Sequence, residues 1–178
     1  MIEQAKAKIR EVKDFPIPGI GFKDITPLIE DPKLFHFVVE RMAEWASDLK
    51  PDIIAGIESR GFIFGAPVAH ELKLGMAMIR KKGKLPYKTV EMEAPNEYAV
   101  ESFEMHVDCI CKDQRVVVID DLIATGSSSV SAINLVKKLE GRVVGFGALV
   151  DLVFLNGIAS IRQSHPDVDV KTFISFDD

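Results

Sequence analysis

Val116-Val117-Val118-Ile119-Asp120-Asp121-Leu122-Ile123-Ala124-Thr125-Gly126-Ser127-Ser128 is the stretch whose reading decides the fold. Val116 to Ile119 is a continuous β-branched run, the composition of a parallel strand covered on both faces. Asp120 and Asp121 place two carboxylates where that strand is expected to end. Ala124 to Ser128 is small and hydroxyl-rich, and it leads into a helical pattern from Ser129 to Glu140. A strand, a small-residue turn and a helix N-terminus together make a phosphate site. Free backbone N–H groups and the helix dipole face the anion, and the Thr and Ser hydroxyls add donors. The carboxylates repel phosphate but suit a diol, which offers two O–H donors, or a hydrated Mg²⁺. Phosphate below and diol above describes a ribose 5-phosphate. The plainer alternative is an ordinary strand–turn–helix crossover with solvated carboxylates at its top.

The whole chain bounds what surrounds this site. Its 178 residues, 47% of them apolar, suffice for one folded domain with a full core. A net charge of −5 argues against a nucleic-acid or membrane partner, since either needs a basic surface. The basic cluster Arg80-Lys81-Lys82-Gly83-Lys84 must therefore serve something local. Cys109 and Cys111 read as buried thiols on one face of a strand. They are too close along the chain for an unstrained disulfide or a complete metal site, which suits a reducing compartment. Met1 to Lys13 is charged throughout and lacks the apolar centre of a signal peptide. No apolar run reaches membrane-spanning length, so a cytoplasmic location is expected. Histidines 36, 70, 106 and 165 share no motif spacing.

Upstream of the central stretch, Ile53 to Ile57 is another buried strand, and it too ends in a charged tip, Glu58-Ser59-Arg60-Gly61-Phe62. A Gly- and Ala-rich helix follows, ending near Leu74-Gly75, and taken alone the tip reads as a capping ion pair between Glu58 and Arg60. Met76 to Arg80 is the next strand. Thr89 to Glu104 is polar and acidic, a long excursion with weak strands at its ends, and loops of that size usually carry function. A lid over about 81–104 carrying Lys84 and Glu97 fits, although Glu97 is one of several glutamates there and reads equally as a solvated carboxylate. Nearer the start, residues 3–12 suggest a short helix, and Asp31-Pro32 caps a helix whose apolar face is Leu34, Val38, Met42, Trp45 and Leu49. Between them, the prolines and glycines of Asp14 to Pro27 exclude regular structure. That segment nevertheless carries Phe15, Ile17, Ile20, Phe22 and Ile25, so it must cover either the core or a ligand cleft. Downstream, Gly141 reads as the residue ending the helix, with Lys137 and Lys138 complementing its dipole. Arg142 to Asp151 is a long strand in which Gly145 and Gly147 permit close approach, and Val168 to Phe176 alternates as an edge strand.

The ordered set Asp-Asp, two apolar residues and Ala-Thr-Gly-Ser-Ser resembles the phosphoribosyl-pyrophosphate (PRPP) motif of the type I phosphoribosyltransferases. Phe15-Pro16-Ile17-Pro18-Gly19-Ile20-Gly21-Phe22-Lys23-Asp24-Ile25-Thr26-Pro27 resembles the purine-binding hood of the adenine phosphoribosyltransferases. The resemblance implies an α/β fold with a doubly wound, mostly parallel sheet flanked by helices. It further implies a single domain over 1–178, with a small N-terminal hood at about 1–30 and a long flexible lid loop at about 81–104. The implied reaction converts adenine and PRPP to AMP and diphosphate. Ala124, Thr125, Gly126, Ser127 and Ser128 would hold the 5-phosphate. Asp120 and Asp121 would bind the ribose hydroxyls and stabilise charge at the anomeric carbon, with Glu97 assisting proton movement. Ser59, Arg60 and Lys84 would meet the diphosphate, and Gly21, Phe22, Lys23 and Leu152 the adenine. Mg²⁺ would arrive on PRPP with no direct protein ligand, and the assembly would be a homodimer.

Three positions depart from the family pattern. Lys23 stands where Arg is usual and loses the planar fork, while Asn96 and Ala99 replace the usual Leu and Gly around Glu97-Tyr98. Relatives using hypoxanthine or guanine typically carry Asp at the position of Ala124, and xanthine-specific relatives, which carry Ala there, usually lack the Phe-Pro-x-Pro-Gly-x-x-Phe segment, which favours adenine. A xanthine-specific enzyme remains the alternative within the family. Outside it stands a non-catalytic PRPP-binding regulator, which would need a DNA-binding domain and a basic face.

Overall fold

The structure, a computed structural model, describes residues 1–95 and 100–177. Met1–Arg41 and Met42–Asp178 form two compact units.

In the first unit, α1 (Ile2–Lys8) stops where Ile9 turns extended, and β1 (Arg10–Val12) pairs antiparallel with β2 (Phe22–Asp24). Residues 3–12 are thus half helix and half strand. Regular structure also enters the stretch expected to exclude it, as β2 and as α2 (Thr26–Ile29). The reasons are local. Pro27 sits in the first turn of α2, where its missing N–H costs nothing, and β1 supplies β2 with a ladder partner. Two ion pairs tie the ribbon, Arg10 with Asp24 and Lys23 with Glu11. Asp31 caps α3 (Pro32–Asp48), its carboxylate accepting the amides of Lys33 and Leu34.

The second unit runs β3 (Ile53–Ile57), α4 (Gly61–Glu71), β4 (Gly75–Lys81), β5 (Thr89–Pro95), β6 (Val100–His106), β7 (Arg115–Ile123), α5 (Ser127–Lys138) and β8 (Arg142–Leu152). A 3-10 turn (Val153–Leu155), α6 (Gly157–Ser164) and β9 (Asp169–Phe176) complete it. Among the described residues the sheet order is β5-β6-β4-β3-β7-β8-β9. The pairings from β4 through β9 are parallel, and β6 joins β4 and β5 antiparallel. This is the doubly wound, mostly parallel sheet that the resemblance implies. β7 is buried almost throughout, which accounts for its β-branched run. Trp45 explains the glycines of β8: a Cβ on Gly147 would lie 2.4 Å from its ring.

From β3 the chain winds one way to β4, and from β7 the other way to β8. The boundary between β3 and β7 is therefore the topological switch point, where doubly wound sheets open a crevice beyond their strand ends.

Three expectations change in this unit. The composition of Thr89 to Glu104 suggests weak strands only at its ends, yet β5 and β6 pair from Thr89↔His106 to Pro95↔Val100. Ala94, Phe103 and Met105 are buried there, and the Ser131 hydroxyl of α5 donates to the carbonyls of Met92 and Glu93. Cys109 and Cys111 lie in the turns before β7 rather than in a strand, Cys109 half-buried and Cys111 exposed. At the end of α5 the left-handed residue is Glu140 (φ 62°), and Gly141 is needed for space, since its Cβ would stand 2.7 Å from Ile110. Ile57, Phe64 and Val68 are buried within the chain itself. Among the described residues no helix is long and apolar enough to cross a membrane.

Candidate active site

At the switch point a cavity of about 250 Å³ opens over the ends of β3 and β7. Its walls come from three segments far apart in sequence: Ile57 to Arg60, Asp120 to Leu122, and Ala124 to Ser129. Lys81 and Phe103 close one side. Asp120, Asp121, Ala124, Thr125, Gly126, Ser127, Ser128, Ser59 and Arg60, all singled out from the sequence, thus line one cavity.

The two carboxylates lie inside β7 rather than beyond its end, 8% and 5% exposed. Asp120 Oδ1 accepts the amide of Asp121 at 2.8 Å. Burial, and then the charge of Asp121, push the Asp120 carboxyl well above its ordinary range. Burial also raises Asp121, against the opposing pull of Arg60, whose Nε stands 3.0 Å from Asp121 Oδ2. This contact is an ion pair without hydrogen-bond alignment, so a buried acceptor oxygen is left without a hydrogen-bond donor. An acid pair of this kind is suited to groups that bring their own donors or positive charge.

The loop from Ala124 to Ser128 is shaped by backbone packing. Gly126 takes a left-handed φ of 84° and opens α5, which starts two residues earlier than its periodicity suggests. Ser127 and Ser128 therefore belong to the first turn, where amide N–H groups have no helical acceptor. Underneath lies Gly157, at the start of α6. A Cβ there would come within 2.3 Å of the Ala124 carbonyl and 3.0 Å of the Gly126 amide. The loop thus rests directly on another stretch of backbone.

The tip after β3 does not form the Glu58–Arg60 cap that it suggests in isolation. Arg60 turns to Asp121, while Glu58 accepts Arg80 Nε at 3.0 Å and the Lys81 amide at 2.8 Å. The Glu58–Ser59 peptide is cis. Lys84 is exposed on the turn after β4 and is not among the residues lining the cavity, whereas Lys81 is. Leu152 ends β8, 8% exposed. Glu97, with Asn96 and Ala99, lies outside the described residues.

In the first unit, Phe22 meets Phe15 edge to face with centroids 5.2 Å apart. Lys23 is 7% exposed, and its ammonium lies 3.3 Å from Glu11 Oε1. Gly21 makes room for that carboxylate, because a Cβ would stand 2.8 Å from it.

Sequence reasoning missed Glu58, Lys81 and Phe103 as cavity residues, and Gly157 as the seat of the loop. The Asn156-Gly157 pair, a turn signal, was the one hint of the last. Among the described residues no group of three or more His, Cys, Asp or Glu side chains is arranged to hold a metal ion.

The phosphoribosyl transferase domain family matches residues 28–177. The adenine phosphoribosyltransferase of Acetivibrio thermocellus is 51% identical over 172 residues, covering 96% of this chain and 98% of the relative. The crystal structure of the adenine phosphoribosyltransferase from Thermoanaerobacter pseudethanolicus matches at a TM-score of 0.93 and 42% identity, over 99% of this chain and 100% of that one. That of Saccharomyces cerevisiae, complexed with adenine and an imino-altritol bisphosphate, matches at 0.87 and 32% identity, over 97% of each chain. The chain belongs to the adenine phosphoribosyltransferase family.

Proposed function

We infer that this protein is an enzyme of purine salvage that transfers the 5-phosphoribosyl group of PRPP to adenine, giving AMP and diphosphate. The observation that carries the reading is one cavity joining a helix N-terminal loop, a buried acid pair and an arginine-bearing loop. These suit the three charged or polar parts of PRPP in the order in which the molecule presents them.

In this reading Ala124, Thr125, Gly126, Ser127 and Ser128 hold the 5-phosphate through amides and hydroxyls at the N-terminus of α5. Asp120 and Asp121 accept from the ribose hydroxyls. Two hydroxyl donors and a developing cation all favour the ionised acids, offsetting the burial that raises them. Carboxylates beside an oxocarbenium-like transition state lower its energy electrostatically. Ser59, Arg60 and Lys84 are the contacts for the leaving diphosphate. As diphosphate binds, Arg60 exchanges part of its pairing with Asp121 for the substrate's charge.

Carried by PRPP, Mg²⁺ would supply neutralisation of the diphosphate charge. The donor set fits a hydrated ion, since the buried Asp121 Oδ2 takes no hydrogen bond and accepts readily from metal-bound water. Gly21, Phe22, Lys23 and Leu152 are the proposed purine contacts. The engagement of Lys23 with Glu11 gives it a structural partner without any planar fork. Ala124 has no carboxylate to take a proton from hypoxanthine or guanine, and the Phe15–Phe22 segment favours adenine over xanthine. Glu97 is the proposed group for proton movement at the purine.

The segments at about 1–30 and about 81–104 are read as hood and lid of a single domain, in a cytoplasmic homodimer without nucleic-acid or membrane partners. The test is incubation with Mg²⁺-PRPP and, separately, adenine, hypoxanthine, guanine, xanthine or orotate. AMP from adenine alone is expected. Turnover of an oxopurine at the adenine rate would refute the base assignment.

A further inference from the structure

The turn between β4 and β5 is held from beneath by a buried acid. Glu104, in β6, is 4% exposed and lies between Phe103 and Met105, which fill the core. Its Oε1 accepts the amides of Lys84 at 3.0 Å and Leu85 at 2.9 Å. The Gly83 amide and the Thr89 side chain also bond to this carboxylate. Burial works to raise its pKa, but these donors together outweigh burial and hold the group below its ordinary value.

Successive amides converging on an anion form a nest, and here the anion is part of the chain. Arg80 fixes the same turn from the other side. Its Nη1 donates to the Lys84 carbonyl at 3.2 Å, and its Nε to Glu58 Oε2 at 3.0 Å. The backbone of Lys84 is thereby held at both its N–H and its C=O, through side chains that lead to the cavity wall at Glu58. A buried negative charge near a site for a polyanion is unfavourable unless it does what a neutral residue cannot. Accepting three consecutive amides is such a task, because a neutral amide side chain would turn a donor toward at least one of them.

We propose that Glu104 is a positioning residue for the transfer, fixing the Gly83–Leu85 turn so that Lys84 presents its charge to the diphosphate of PRPP. This rests on the reading of Lys84 as a diphosphate contact. Glu104 itself touches no substrate.

The test uses Glu104→Gln, Lys84→Ala, the double variant, and Gly83→Ala as an independent lever. Gly83 has a φ of +82° and nothing within 4 Å of where a Cβ would stand, so alanine strains the turn without crowding the core. With PRPP and adenine varied separately, Glu104→Gln should raise KM for PRPP about tenfold, equivalent to about 1.4 kcal/mol, and leave KM for adenine within about twofold. Gly83→Ala should move KM for PRPP in the same direction. In the Lys84→Ala background, Glu104→Gln should add nothing to the loss.

A large effect of Lys84→Ala beside unchanged Glu104→Gln and Gly83→Ala would overturn the proposal and leave the role of Lys84 standing. Unchanged PRPP kinetics in Lys84→Ala would instead overturn the reading on which the proposal rests. Equal losses for both substrates, or additive losses in the double variant, would reduce Glu104 to a stabilising residue and overturn the proposal. Should Glu104→Gln fail to fold, Gly83→Ala decides alone, since its site is exposed.

Discussion

Replacing Gly157 by alanine tests whether the phosphate loop is held by the backbone beneath it. The added Cβ would lie 2.3 Å from the Ala124 carbonyl, 2.5 Å from Ile123 Cγ2 and 3.0 Å from the Gly126 amide. Ordinary contact begins at 3.4 Å, so the loop and α6 must separate by about 1.1 Å. Two of the three obstacles are backbone atoms and cannot rotate away. Overpacking of this kind costs about 1–3 kcal/mol in stability. The larger effect falls on function. Amides placed to donate to phosphate at about 2.9 Å would stand near 4 Å, beyond hydrogen-bonding range. A 1 Å misplacement costs about 100-fold in transition-state stabilisation, about 2.7 kcal/mol. Steady-state kinetics should therefore show kcat/KM for PRPP down by about two orders of magnitude, with KM for adenine nearly unchanged. Calorimetric titration with AMP should weaken in parallel, while inhibition by diphosphate should not. Wild-type PRPP kinetics in a folded Gly157→Ala protein would refute the argument that this contact sets the loop.

Asp120→Asn and Asp121→Asn should each lower turnover at least about tenfold, about 1.4 kcal/mol, and wild-type rates in both would remove the diol assignment. Stability should respond in the opposite sense at Asp120, because burial and Asp121 raise its carboxyl above the ordinary 3.8 and unfolding then releases a proton. That contribution is complete below 3.8 and is lost as pH rises through the raised value, so the melting temperature of Asp120→Asn without substrate should gain on wild type above that pH. A gap that stays constant across pH would contradict the burial argument. Glu97→Gln should lower kcat about 100-fold with little change in PRPP affinity, and hydrogen exchange over residues 81–104 should slow when Mg²⁺-PRPP is added. Equal exchange with and without ligand would leave that segment no lid function. Sedimentation at micromolar concentration should show a dimer, and a fully active monomer would remove the assembly proposal.

The buried strand carrying the acid pair and the small-residue turn that opens a helix were legible in the sequence because each is a local pattern. A β-branched run needs cover on both faces, small residues admit an anion at a helix end, and the pattern keeps its meaning wherever the segment lies. The same locality misled where pairing decides. Phe22–Asp24 carries turn residues on both sides and becomes a strand only because Arg10–Val12 lies alongside. β5 and β6 look too polar for a sheet, yet they gain a ladder from each other and side-chain bonds from α5.

Partner choice among charges was equally out of reach. Glu58 and Arg60 are two positions apart in sequence but pair with Arg80 and Asp121, each brought near by a different strand. The seat of the phosphate loop joins Ala124 to Gly157, 33 positions further on, and no periodicity encodes a steric fit between two backbones. Sequence by itself determined which segments carry the small-residue turn, the acid pair and the charged tip. Tertiary structure decided how their backbones are held, since burial, ion pairing and contact depend on segments that meet only after the sheet has assembled.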